Sequence, residues 1–489
     1  MGAAMDTFPQ ITIDRGAEIS LTEQLLRGLR SAIAAGHMRP GEPVPASRAF
    51  AERLGVSRSV VVGAYEQLVG EAFLESRQGA GTRVSATLPS WVVDTALPAS
   101  LPPRAPERAS VPSTRPIDLT AGRPFAPLEA PRAWVRALSR AARVPWSSDS
   151  VDPLGDPRLR EAFATHARVS RGLACAADDV VVTSGTSEAL LLVGLAMREA
   201  RGGASPRIAV EDPGYPEGAA ALSRAGAELF PLPVGVDGTS VRDLAELHRR
   251  VRLDAVMLTP SHQYPLGGRI PADERLALID WAHRHDVTII EDDYDSEFRH
   301  AGAALPAMAS LDPHGITVYI ATLNKVLSPS LRCGMIVLPR ASGALREAIA
   351  GTRIVAGASV SAHTQIALAD YLSNGDFKRT VARNKREYRH RRDLVLRVLG
   401  AGGIPVAGAE GGLHVVVPLP RELDAGALVR ELAERGVRLE SLGGFSSGNP
   451  GANGLVIGYG AESIPRLTAG LEAVRAVCAA RLDPVPQQS

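Results

Sequence analysis

The sequence predicts an α/β protein built from two unequal units, and three observations carry that expectation. From about residue 117 onward, short apolar runs alternate with helical patterns. Residues 86–116 hold seven prolines and little periodicity, as a semi-extended linker would. Ahead of them, residues 15–85 hold short helical patterns and a glycine turn.

In the front unit, "SLTE" at 20–23 has the spacing of a capping box, Ser20 with Glu23 three residues on. Leu25, Leu29 and Ile33 then share one apolar helix face. A Pro-Gly turn, a short helix from Ser47, the tight "LGVS" turn and a second helix from near Ser57 follow. "FLES", the turn "RQGAGT" and "RV" complete the unit as two strands around glycines. Helix, turn, helix and a two-stranded wing make a winged helix-turn-helix, whose second helix enters the major groove of DNA by its N-terminus. Ser57, Arg58 and Ser59 are therefore expected near base edges and phosphates, with Arg48 in reach of phosphate. Gly79 and Gly81 let the wing approach the minor groove, and Thr82 adds a hydroxyl. This stretch closely resembles the GntR family, which implies double-stranded operator DNA as partner. Nine arginines against seven glutamates over 15–85 leave a net +2. One head should bind modestly, so a homodimer reading two half-sites is expected.

The whole chain narrows the classes further. At 489 residues it exceeds one ordinary domain, and 45% hydrophobic content suffices for large cores. No apolar run is long enough to span a membrane, and "MGAAMDTFPQ" lacks the pattern of a secretory signal. Cys175, Cys333 and Cys478 are odd in number and far apart, which favours reduced thiols in the cytoplasm. A net charge of +1 restricts any nucleic-acid contact to a local patch. Of 54 basic residues only Lys325, Lys378 and Lys385 are lysine. The last two sit in the arginine-rich helical stretch "DFKRTVARNKREYRHRRD", which reads as a solvated face. Lys325 instead follows the buried-strand run "ITVYIA".

In the second unit, "DVVVTSG", "RIAVEDPG", "DAVMLTPS", "VTIIEDDYD" and "ITVYIA" read as parallel strands covered on both faces by helices. From about 345 a long helical stretch, "GLHVVVPLP", "NGLVIGYG" and a last helix suit a smaller α/β lobe. Four features converge on Lys325. "VVVTSGTSEALLL" runs strand, glycine turn, helix, so the N–H groups of Gly185, Thr186 and Ser187 can hold a phosphate. Tyr215 follows another strand with a ring available to a flat heterocycle. Asp292, Asp293 and Tyr294 end a third, where open α/β sheets bind ligands. Thr322 and Arg332 flank the lysine and suit the same phosphate. Pyridoxal phosphate asks for this set: an amine for its aldehyde, a carboxylate for its pyridine nitrogen, a platform for its ring and donors for its phosphate.

Over 117–485 the chain resembles fold-type I aminotransferases. With a GntR head in front, the whole resembles the MocR-type subfamily of GntR regulators. The resemblance implies the pyridoxal-phosphate-dependent transferase fold, with a large parallel-sheet domain and a small lobe. It implies an aldimine at Lys325, Asp292 on the pyridine nitrogen, Tyr294 on the ring hydroxyl and Tyr215 stacked on the ring. Thr322 and Arg332 would hold the phosphate. Between Asp292 and Asp293 the family register selects the first, and alternation along the strand exposes only one of them to the ring.

The substrate side departs from that pattern. No arginine or lysine occurs between Arg438 and Arg466, where aminotransferases carry the arginine that grips an α-carboxylate. Glu217 follows Tyr215, Tyr264 replaces an asparagine in "HQYPLG", Ser187 and Glu188 replace glutamines, and Asn324 replaces a serine. Arg123 and Arg353 are the substitute candidates for the clamp. A chain that keeps its cofactor site and loses the clamp is expected to be a sensor. It would regulate vitamin B6 synthesis, or respond to an amino acid or other amine. The alternative from another class is an active aminotransferase with a DNA-binding appendage.

Overall fold

The computed structural model describes residues 11–17, 19–77, 81–88, 115–125, 127, 130–145, 147–235, 237–301, 305–341, 343–447 and 453–481. Gly79 of the wing and residues 89–114 of the expected linker, Trp91 included, lie outside them. The chain divides into two compact units, Met1–Val111 and Pro112–Ser489.

The first unit holds α1 (Leu21–Ala34), α2 (Ser47–Leu54), α3 (Arg58–Gly70) and an antiparallel pair, β1 (Leu74–Arg77) with β2 (Gly81–Val84). Leu25, Leu29 and Ile33 meet Phe50, Val61, Leu68, Phe73 and Val84 in one core. Gly55 closes α2 at φ +64°, a left-handed position that suits the tight turn into α3. The capping box at α1 is only half formed. Ser20 Oγ accepts from the Glu23 amide at 3.2 Å, but the Glu23 carboxylate takes Arg27 Nε at 2.8 Å instead of reaching back. An i,i+4 ion pair has won over the reciprocal cap.

The second unit opens with β3 (Ile117–Asp118) and builds a seven-stranded sheet from β4 (Val180–Thr183), β5 (Arg207–Asp212), β6 (Glu228–Pro233), β7 (Ala255–Leu258), β8 (Thr288–Asp293), β9 (Thr317–Thr322) and β10 (Gly334–Val337). Strand order is β4-β10-β9-β8-β7-β5-β6, and β10 alone runs antiparallel to its neighbours. Adjacent Ile289 and Ile290 on β8 pack into separate clusters, as residues pointing to opposite faces do. Burial on both faces is why these strands read as continuous apolar runs. Two strands were not legible as such. β6 contains Pro231 and Pro233, which a sheet tolerates at its edge, where β6 lies. β10 is four residues long and turns back immediately after the lysine loop.

The small lobe comprises the long helix Asp376–Gly400, β11 (His414–Pro418), β12 (Val437–Arg438), β13 (Glu440–Ser441), β14 (Gly454–Gly458) and the closing helix Ile464–Ala479. β14 lies between β11 and β13, antiparallel to both. The start of this unit joins the small lobe, since β3 pairs in parallel with β12. The segment after β3 then runs against the end of β14 at backbone distance. A Cβ on Gly458 would lie 2.1 Å from the Thr120 carbonyl oxygen, and one on Gly460 2.2 Å from that of Arg123. No described helix is long and apolar enough to cross a membrane.

Gly458→Ala therefore has to push segment 120–123 off the lobe. We expect a loss of about 1–3 kcal/mol, the usual cost of overpacking, read as a lower urea midpoint. Ala at Gly343, whose Cβ meets nothing within 4 Å, is the control that leaves the midpoint in place.

Candidate functional site

A cavity of about 660 Å³ opens at the carboxyl ends of β8 and β9. That is where open α/β sheets place ligands. Thr186, Ser187, Tyr215, Asp292, Tyr294, Thr322, Lys325 and Arg332 all line it. Lys325 follows β9, and its Nζ donates to the Gly122 carbonyl at 2.5 Å. Burial lowers the amine's pKa, against the pull of Asp295 and Asp292. A lowered pKa makes an amine a better nucleophile at neutral pH.

The two acids ending β8 take different parts. Asp292 faces the cavity, with Thr186 Oγ1 at 3.5 Å from its Oδ1. Burial, followed by the charge of Asp293, pushes its pKa up to about 8, while Lys325 pulls the other way. Asp293 is buried elsewhere: its Oδ2 lies 2.6 Å from Arg171 Nε and accepts from the Tyr319 hydroxyl at 2.6 Å. Strand alternation separates the pair. Asp292 is the one exposed to the cavity, as the register implied.

Tyr294 also faces the cavity, and its hydroxyl sits 2.8 Å from His262 Nδ1, which is 2.9 Å from Asp295 Oδ2. Burial alone would lower the His262 pKa, but the Asp295 carboxylate carries it above its ordinary value. Tyr215 caps the helix Pro216–Arg224, and its ring meets Tyr264 edge-on at 5.9 Å. Its hydroxyl lies 3.4 Å from Ser187 Oγ.

At the other end of the cavity the helix Thr186–Ala200 begins, capped by Gly185 at φ +117°. The positive φ calls for glycine, and a Cβ there would also have to displace the Asn324 side-chain amide, 2.9 Å away. Gly185 itself stands just behind the lining. Thr322 Oγ1 donates to the Cys333 carbonyl at 3.2 Å. Arg332, at φ +47°, makes no hydrogen bond or ion pair with a described residue, leaving its guanidinium free for an anion. Helix N-terminus, hydroxyls and an unpaired guanidinium are a phosphate's donor set.

These residues fit pyridoxal phosphate. A buried carboxylate whose pKa is lifted to about 8 is a group short of a cation, and a protonated pyridine nitrogen is one. Lys325 would take the aldehyde, Asp292 the ring nitrogen, Tyr294 the ring hydroxyl, Tyr215 the ring face, and Thr186, Ser187, Thr322 and Arg332 the phosphate.

Several lining groups were not foreseen. The Gly122 carbonyl, Asp118, Arg115 and Glu462 form the wall opposite the sheet. Asp118 is held through its amide by Glu462 and through its carboxylate by Arg123. Arg123 does line the cavity, as one candidate clamp. Arg353 does not: it is 1% exposed, paired with Glu188 at 3.1 Å, and its guanidinium holds the turn at Gly357. The stretch lacking arginine contributes Ala461 and Glu462, so a carboxylate stands on that wall.

In the first unit, Arg48, Ser57, Arg58, Ser59 and Gly81 are exposed and Thr82 is half-buried. Arg58 Nε lies 3.4 Å from Ser47 Oγ, which sets the starts of α2 and α3 side by side. Ser57 Oγ and Ser59 Oγ are 2.8 Å apart at the N-terminus of α3.

Comparison with known proteins agrees with both halves. Residues 21–84 match the bacterial regulatory proteins of the gntR family, and residues 114–451 match aminotransferase class I and II. The chain is 36% identical over 445 residues to the HTH-type pyridoxine biosynthesis transcriptional regulator PdxR of Corynebacterium glutamicum, covering 91% of this chain and 92% of that protein. It is 35% identical over 483 residues to the probable rhizopine catabolism regulatory protein MocR of Rhizobium meliloti, covering 95% of each. Among solved structures, an archaeal alanine:glyoxylate aminotransferase superposes with a TM-score of 0.69 at 24% identity, over 76% of this chain and 92% of that one. That likeness bears on the fold. The chain belongs to the GntR family of bacterial regulatory proteins, in the MocR-type branch that carries a class I and II aminotransferase domain for pyridoxal phosphate.

Proposed function

We propose that this regulator controls vitamin B6 synthesis, with pyridoxal phosphate itself as the signal read by the aminotransferase-type domain. One observation carries the proposal. Every group the cofactor needs lines one cavity, whereas the wall that would grip a substrate carboxylate presents Glu462. Glu462 is taken by Arg466 and Asp118 by Arg123. Among the described residues that wall spends its charges on itself and offers no dedicated clamp for an α-carboxylate, which disfavours turnover of ordinary amino acids and leaves cofactor binding intact. The pyridoxine-biosynthesis role of the Corynebacterium relative supports the same target.

When bound, the cofactor supplies an aldehyde and an electron-withdrawing ring. The chain's own residues do the rest. Asp292 holds charge at the ring nitrogen. Tyr294, backed by His262 and Asp295, orients a donor toward the ring hydroxyl. Lys325 gives up its hydrogen bond to Gly122 when its nitrogen is engaged, which frees the small-lobe wall from the sheet. A signal can act on DNA binding only by preferring one arrangement of the lobes. We place the protein in the cytoplasm as a homodimer whose two heads read two half-sites, Arg48 and the Ser57–Ser59 turn contacting the major-groove side and Gly81 and Thr82 the wing side. A second reading is favoured by Arg123: the cavity extends past the cofactor corner to this guanidinium, so an amine bearing an anionic group elsewhere fits as effector.

Titrating operator affinity with pyridoxal phosphate tests the first reading: the cofactor alone should shift it at least tenfold. A response only after an amine is added would instead establish the second reading, and Arg123→Ala should then abolish it. Lys325→Ala should lose the visible absorbance of the bound cofactor, its borohydride labelling, and the operator response together. A further expectation concerns pH. Asp292 has a folded pKa above its unfolded value of about 4, so the cofactor-free protein holds an extra proton between roughly pH 4 and 8. Its contribution to stability is greatest below that window and falls as pH rises through it. Asp292→Asn should flatten this slope in Tm measured against pH.

A further inference from the structure

We propose that the exposed face of the Asp376–Gly400 helix is a second DNA-contacting surface, gripping the phosphate backbone of duplex that flanks the operator. The proposal rests on the operator-binding role of the N-terminal unit. The helix carries nine lysines and arginines against three carboxylates, a net +6 within a chain of net +1. Its apolar side is committed to the core through Phe377, Tyr388, Leu394 and Leu399. Lys378, Arg379, Arg383, Arg386, Arg389 and Arg397 are all exposed. They share one face at helical spacing. From Arg379 to Arg397 the stripe runs about 27 Å, at roughly 1.5 Å per residue.

A face that is merely solvated mixes both signs at i,i+4 spacing. Here the carboxylates are few and already engaged: Asp376 by Arg379 at 2.6 Å, Glu387 by the buried Arg391 at 2.7 Å, Asp393 by Arg392 at 2.6 Å. Lys378, Arg386, Arg389 and Arg397 make no hydrogen bond or ion pair with a described residue, and Arg383 meets only the Asn384 amide. Neighbouring cations on such a stripe stand close to a Debye length of about 8 Å and repel one another. A linear polyanion relieves that repulsion. One turn of B-DNA is about 34 Å long, comparable to the stripe, and arginine forks suit phosphate. A lipid surface fits less well, because an interfacial helix needs a free apolar face and this one is buried in the lobe.

The test uses the full-length chain with Arg383→Gln, Arg386→Gln and Arg389→Gln combined. Operator affinity is measured against salt on a minimal operator and on one extended by two helical turns at each end. On the extended duplex the log–log salt slope should fall by about 2–3, near 0.9 per lost phosphate contact, with affinity weakened at least tenfold. On the minimal duplex both should match wild type. Equal behaviour on the two duplexes overturns the proposal. So does a changed sedimentation coefficient, which would make the face an interface between copies, or selective loss of binding to phosphatidylserine vesicles. Arg379→Gln with Arg397→Gln, at the stripe's two ends, repeats the measurement should the triple variant misfold. Arg58→Ala weakens both duplexes if the head reads the operator, so failure of that reading shows separately.

Discussion

A cation and an acid buried at the ends of neighbouring strands govern this molecule. Asp292 stands one residue from the end of β8 and Lys325 follows β9, and those strands are paired in the sheet. Burial opposes charge on both groups, and each eases the other. Neither is comfortable without a further partner. The amine finds one in the Gly122 carbonyl, which belongs to the segment packed on the small lobe. The acid's pKa is raised by burial and by Asp293, so a cationic partner would stabilise its charged form. The site is thus tensioned toward a ligand that offers an aldehyde at one end and a cationic nitrogen at the other.

The surroundings keep that tension specific. Asp293, one residue on, is turned to the far side of the strand, where Arg171 and Tyr319 hold its carboxylate outside the cavity lining. Tyr294 is held by a buried histidine–carboxylate pair, and the helix start at the other end of the cavity by Gly185, whose φ of +117° favours glycine. The wall opposite mixes acids with arginines and is largely self-paired, with Arg123 latched on Asp118 and Arg466 on Glu462. Arginine abundance elsewhere has a comparable logic, since a forked cation is at its best on phosphate.

Much of this was legible beforehand. Continuous apolar runs announced β4, β5, β7, β8 and β9 because sheets covered on both faces leave no polar alternation. Lys325, Asp292, Tyr294, Tyr215, Thr322 and Arg332 were legible because each closes or follows such a run, and strand ends in a parallel sheet point to one edge. The edge strand β6 was hidden by its prolines, and β10 by its shortness. Arg353 was misjudged as a clamp because sequence position carries no information about which side of a helix faces a cavity; Glu188 and the turn at Gly357 claim it.

What the amino-acid order determined by itself were local matters: periodicity, caps, turns and the chemical kinds of group available at strand ends. Distances along the chain short enough to be read that way produced the head, the strands and the residues that line the cavity. Only the folded chain decided which groups meet across it. The Gly122 carbonyl reaches an amine 203 residues away, the Asp118 amide meets a carboxylate 344 residues away, and both contacts arise because β3 pairs with β12 and its continuation packs on β14. Pairing at such separation is set by closure of the whole lobe, where loop entropy and packing are settled together, and no local pattern records it.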